Sequence, residues 1–192
     1  NPEFEAAVQK HVEIRQSESD QAFPLLTLRS EGRCKPGGTP CPLMIALHAN
    51  AATAQESVDF WRPAAASGWL VAAPQSSQAM WRGAYIWDDR ETTEQEIVRH
   101  FGSLNQQYAV DQDKVILAGH SLGGEMAAWL ALRGALAVRG FIAIGPAGPF
   151  MNNPESWRQL ILEYPGYGLR GYILVGEEDT SCLLYTSPSP RD

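Results

Sequence analysis

Five short, unbroken apolar runs restrict this chain more than any other feature. They are Leu43–Leu47, Trp69–Ala73, Val115–Ala118, Phe141–Ile144 and Tyr172–Val175. An alternating run would mark a strand with one wet face, whereas a continuous run marks a strand covered on both. The stretches between them, Ala54–Ala66, Glu91–Tyr108, Gly123–Arg133 and Pro154–Glu163, have the length and patterning of helices. The second carries a start signal, Thr93 with Glu96 three residues on, which predicts a capping box. Strand and helix in alternation predict an α/β domain built on a mostly parallel sheet with helices on both faces. Ahead of this body, Glu3–Arg15 reads as one more helix within residues 1–20, followed by an antiparallel edge strand around Ala22–Leu28.

At 192 residues the chain is the size of one domain, assigned here to residues 1–181, with enough length to bury a core. A net charge of -7 argues against a nucleic-acid partner, whose phosphates want a basic face. No run approaches the roughly 20 apolar residues of a membrane span. No signal peptide is visible, which favours the cytoplasm, although a chain opening on Asn1 leaves the true start open. Cys34 and Cys41 bracket the turn-rich "KPGGTP", and either a disulfide or two free thiols fits that spacing. A metal site would need two further ligands beside them, so neither metal nor cofactor is expected. Nothing in the sequence sets an oligomeric state.

In a sheet of this kind ligands bind at the carboxyl ends of the strands. The residues following the apolar runs include His48-Ala49-Asn50, Gly119-His120-Ser121-Leu122-Gly123-Gly124 and Gly176-Glu177-Glu178-Asp179. "VILAGHSLGG" places Gly-x-Ser-x-Gly directly after a buried strand and before a helix, the setting of a nucleophile elbow. A sharp turn would hold Ser121 strained with its hydroxyl exposed. Gly119 and Gly123 would lack side chains because the turn packs them closely. The following helix would aim N–H groups at the site, Leu122 supplying one. His120 points the wrong way in such a turn to serve as base and reads as a packing residue.

In "GHSLGG", "LHAN", "GEED", "WRPAAASGWLVAAPQSSQ" and "WDDR" the chain resembles α/β-hydrolase fold serine hydrolases, best the phospholipase/carboxylesterase-like group, from about Leu43 to Asp179. The resemblance implies a second oxyanion donor on the loop after the first parallel strand. That donor is the Asn50 N–H, with Ala49 the alternative, in a loop where alanine stands in place of the group's glycine. It implies Asp179 as the acid of a Ser-acid-His triad, ahead of Glu177 and Glu178, with Asp88 a distant rival placed among pocket residues. His48, Trp81, Tyr85 and Trp87 are candidate pocket residues, with loop bracing the default for His48 and core packing an equal claim on the aromatics.

The histidines are His11, His48, His100 and His120, and none follows Asp179. His100 falls in a predicted helix as a surface residue. The final stretch "CLLYTSPSPRD", Cys182–Asp192, resembles the translation of a transposase-type sequencing-library adapter. The expectation is therefore a serine esterase of carboxylesterase or thioesterase type, acting on a small acyl ester. Its sequence breaks off before the catalytic histidine, so that this chain is itself inactive. The rivals are a non-catalytic scaffold binding a small ligand or partner, and an acyltransferase or peptidase on the same fold.

Overall fold

The computed structural model describes residues 12–16, 24–165 and 168–177. In chain order the elements are β1 (Val12–Gln16), β2 (Leu25–Ser30), β3 (Cys41–Leu47), α1 (Ala54–Ala66), β4 (Leu70–Pro74), β5 (Gln78–Trp81) and β6 (Ala84–Ile86). There follow α2 (Arg90–Gln107), β7 (Val110–His120), α3 (Leu122–Arg133), β8 (Gly140–Ile144), α4 (Pro154–Glu163) and β9 (Arg170–Leu174). Seven strands form one sheet in the order β1-β2-β4-β3-β7-β8-β9, while β5 and β6 form a separate hairpin. From β4 to β9 every pairing is parallel; β1 and β2 are antiparallel additions.

The side chains of the parallel strands divide between two apolar clusters. Leu43, Ile45, Leu47, Leu117 and Phe141 pack with residues of α2, α3 and α4. Met44, Ala46, Val71 and Ala118 pack beneath Ala54, Val58 and Ala65 of α1. Neighbouring residues of a strand face opposite sides, so a buried strand must be apolar throughout. That is the physical basis of the unbroken runs. The helix α3 sits deepest, with Leu122 to Ala131 all buried.

Several expectations need correction. Val12–Gln16 is a strand, not the end of a helix: "VEIRQ" alternates apolar and polar, the period of a strand, and pairs with β2 from Val12↔Ser30 to Gln16↔Leu26. The rest of the predicted helix lies outside the described residues. β2 is antiparallel but not an edge, since it lies between β1 and β4. The capping box does not form: the helix expected from Glu91 begins at Arg90, which leaves Thr93 inside it. Asp89 is its N-cap and accepts the Thr92 N–H at 3.1 Å. Thr93, fully buried, instead donates to the Asp89 carbonyl at 2.7 Å. The β9 run is not covered on both faces: Tyr172 is 64% and Leu174 51% exposed among the described residues. The β5–β6 hairpin was not anticipated, because its strands are short and only Ala84 is buried in them.

Cys34 and Cys41 form a disulfide with Cα atoms 5.5 Å apart, both cysteines buried. No helix among the described residues is long and apolar enough to cross a membrane.

Candidate active site

Chain connectivity creates the cleft. From β3 the chain passes through α1 to β4 on one side of the sheet order; from β7 it passes through α3 to β8 on the other. β3 and β7 are neighbours, ending side by side at Leu47↔Gly119. The two loops that leave them diverge, and the opening between is the topological switch point where such sheets bind ligands.

Ser121 follows β7 with φ 54° and ψ -124°, a left-handed conformation that a non-glycine residue rarely adopts. Its N–H donates to the Ile144 carbonyl at 3.0 Å, and its carbonyl accepts from Gly124 at 2.9 Å and Ala147 at 3.2 Å. Backbone contacts on both sides thus hold the strained residue. A Cβ on Gly119 would stand 2.6 Å from the Gly124 nitrogen and closer still to the Gly123 carbonyl. A Cβ on Gly123 would stand 2.5 Å from the His48 carbonyl oxygen and closer to that of Leu47. Gly123 therefore meets the end of β3 as well as its own turn, so it sets the distance between the elbow and the facing loop.

That loop is held by buried polar groups. The His48 Nδ1 lies 2.8 Å from the Ala49 carbonyl, while its Nε2 lies 3.3 Å from the Ser76 N–H and 3.2 Å from the Gln75 amide nitrogen. The consistent tautomer carries the proton on Nδ1, which donates to Ala49; Nε2 accepts from Ser76 and Gln75. The Trp87 indole N–H donates to the His48 carbonyl at 2.9 Å, its ring 4.6 Å from the imidazole. The backbone strain sits at Ala51, with φ 58°; Ala49 takes a negative φ, so alanine there needs no glycine-like backbone.

A cavity of about 430 Å³ opens beside Ser121, bordered by Asn50, Trp87, Asp88, Arg90 and Leu122 among others. The N–H groups of Leu122 and Asn50 have no acceptor among the described residues, and both residues border that cavity. Ala49 instead borders a separate cavity of about 160 Å³ with His48 and His120. The His120 ring stacks on Phe60 of α1, with centroids 5.8 Å apart. Of the four candidate pocket residues only Trp87 borders the Ser121 cavity. Trp81 is 60% exposed on the β5–β6 hairpin, and Tyr85 bridges to Ala52, bracing the loop from outside. Asp179 and Glu178 lie outside the described residues. Glu177 is exposed beyond β9, which ends beside β8 with the Gly145 N–H donating to Leu174 at 2.7 Å.

A buried ion pair was missed by the sequence reading. Glu125, on the first turn of α3, is fully buried and takes the Arg90 Nη2 at 3.0 Å and the Met151 N–H at 2.7 Å. Arg90 lies 4.5 Å from the Phe150 ring centroid and 5.9 Å from that of Trp129. The loop after β8 is thereby pinned to the elbow helix at two points, through Ala147 to Ser121 and through Met151 to Glu125. One signal was available: Glu125 is the sole charge in "LGGEMAAWLAL", a helix otherwise apolar on every side.

His100, expected at the surface, is buried on α2. Burial, and then the Arg99 charge, push its pKa from 6.5 down to about 4, and burial also lowers that of His48. Neutral imidazole is the folded form of both. Unfolding lets them take up protons below 6.5, so their contribution to stability is whole above that pH and is lost as pH falls, for His100 toward about 4. Between about pH 7.5 and about pH 5, His100 alone should lower unfolding free energy by about 2 kcal/mol. Urea titrations of wild type and His100→Gln check this: the variant should show the shallower dependence.

The sequence profile described as "alpha/beta hydrolase fold" matches residues 42–189. The chain belongs to the alpha/beta hydrolase fold family. Among solved structures it is similar to an uncharacterized protein from Bacillus cereus, with TM-score 0.65 and 23% identity over 77% of this chain and 48% of that one. It thus spans about half the length of that protein. It is also similar to a dienelactone hydrolase-like promiscuous phosphotriesterase from metagenomic libraries, with TM-score 0.62 and 14% identity over 86% of this chain and 82% of the other. A third is S-formylglutathione hydrolase from Staphylococcus aureus, with TM-score 0.57 and 15% identity over 86% and 79%. No curated protein matches the chain. At these identities the three likenesses establish the fold.

Proposed function

We propose that the parent protein of this alpha/beta hydrolase chain is a serine ester hydrolase of the carboxylesterase or thioesterase type. Ser121 attacks the acyl carbon, and the oxyanion that forms is held by the N–H groups of Leu122 and Asn50. A histidine takes the serine proton, is oriented by Asp179, and returns the proton to the leaving group. Water then attacks the acyl-serine ester and frees the acid, restoring Ser121. The observation that carries this assignment is the positive-φ Ser121 bordering one cavity with Leu122 and Asn50, whose backbone N–H groups lack acceptors among the described residues. A scaffold that only binds has no use for a strained serine. The resemblances to S-formylglutathione hydrolase and to a dienelactone hydrolase-like enzyme support ester chemistry in general terms.

None of the three described histidines suits the base. His48 spends both ring nitrogens on the loop, His100 is buried on α2, and His120 stacks on Phe60. The base is accordingly assigned to a histidine beyond Asp179 in the parent protein, and the present chain is expected to turn over little. Hydrolysis of p-nitrophenyl acetate by this chain should fall on the order of 10⁴-fold or more below that of the parent. A fluorophosphonate probe should label the folded parent and fail to label its Ser121→Ala variant. Absence of labelling in the folded parent would favour a non-catalytic scaffold and overturn the assignment.

A further inference from the structure

We propose that Asp88 makes the Ser121 cavity selective for esters that carry a positively charged amine. That the ligand is an ester rests on the serine hydrolase assignment; the charge preference does not. Three charged side chains border the cavity: Asp88, Arg90 and Glu125. Arg90 and Glu125 neutralise one another at 3.0 Å, and the second Glu125 oxygen takes the Met151 N–H. Asp88, an exposed residue on the cavity border, is then the one charge on the wall without a charged partner among the described residues.

The position of Asp88 is fixed by groups other than its own carboxylate. Its N–H donates to the Gln78 side-chain oxygen at 2.8 Å, and the Asp89 N–H donates to the same atom at 2.7 Å. Gln78 in turn donates to the Asp89 carbonyl at 3.1 Å and the Thr93 hydroxyl at 3.0 Å. The neighbouring Asp89 does the capping of α2, so the Asp88 carboxylate has no structural task. A carboxylate without a partner among the described residues, on a fixed backbone that borders the Ser121 cavity, is a ready partner for an ammonium group. Ile86 and Trp87 on the same wall suit the methyl groups of an alkylated amine. A carboxylate-bearing ester would be repelled.

The test is a titration of this chain, followed by ligand-observed NMR at low salt, with acetylcholine and its neutral isostere 3,3-dimethylbutyl acetate. Acetylcholine should bind about three- to tenfold more tightly. In Asp88→Asn the ratio should fall to about one. Glu31→Gln removes the same charge at the opposite edge of the sheet and should keep the preference. Equal binding of the two probes, no binding of acetylcholine up to about 10 mM, or a preference that survives Asp88→Asn overturns the proposal. Fluorophosphonate labelling of the parent separates the two failures. Labelling without a charge preference rejects the role of Asp88 alone, whereas a charge preference without labelling rejects the hydrolase assignment alone.

Discussion

Gly123→Ala is expected to lower the melting temperature by roughly 6–12 °C. Its Cβ would fall 2.5 Å from the His48 carbonyl oxygen and nearer that of Leu47, and both are backbone atoms at the end of a buried strand. No rotamer can relieve such an overlap. Either α3 moves off β3 or the His48–Ala52 loop shifts, and each disturbs the contact between the elbow and the loop facing it. The cost is about 3 kcal/mol, the upper part of the usual range for overpacking, and about 2–4 °C is lost per kcal/mol at this chain length. Gly102→Ala supplies the contrast. A Cβ there meets nothing within 4 Å, and the residue lies within α2, so alanine should stabilise by up to about 1 kcal/mol. Thermal melts followed by circular dichroism decide the matter; a Gly123→Ala variant melting within about 2 °C of wild type would sink the close-packing account.

Arg90→Ala is expected to cost about 3 kcal/mol, because it leaves the Glu125 carboxylate buried with one N–H for company. That figure sits at the low end for a broken buried pair, since Arg90 remains 31% exposed and water screens part of its charge. Arg158→Ala, whose partner Glu155 is 3.8 Å away with both side chains largely exposed, should cost less than about 0.5 kcal/mol. Adding Glu125→Gln to Arg90→Ala removes the stranded charge while keeping an acceptor for Met151, and should recover at least about half of the loss. Urea unfolding of the four proteins measures these terms. A double variant no more stable than Arg90→Ala would show that the cost lies in the lost packing of Arg90 on Phe150 rather than in the charge.

These two sites differ in how far the sequence disclosed them. The spacing of Gly119, Ser121 and Gly123 is local: a five-residue turn between strand and helix needs glycine where backbones meet, and the need is written within the turn itself. The parallel strands and the four helices among the described residues were legible for a similar reason. A strand buried on both faces has to be apolar at consecutive positions, and a helix shows its period within about three turns. α1 and α4 match their expected limits, Ala54–Ala66 and Pro154–Glu163, to the residue.

Other features depend on partners distant in sequence. Asp89 rather than Thr93 caps α2, and Gln78, on the unforeseen hairpin, holds the Asp88 and Asp89 N–H groups; a capping pattern at Thr93 carries no sign of that competitor. His100 looked solvent-facing because its polarity outweighed its place on the inner side of α2. The Arg90–Glu125 pair joins residues 35 apart, and its merging with the loop after β8 into one wall is invisible until the helices pack. By itself the sequence determined the alternation of strand and helix, the strained serine turn and the family these imply, because each is a requirement on adjacent residues. Which charges cancel, which histidines lose their water and which side chains face Ser121 were decided by the tertiary structure alone, because Coulombic pairing and burial depend on distance in space and not on separation along the chain.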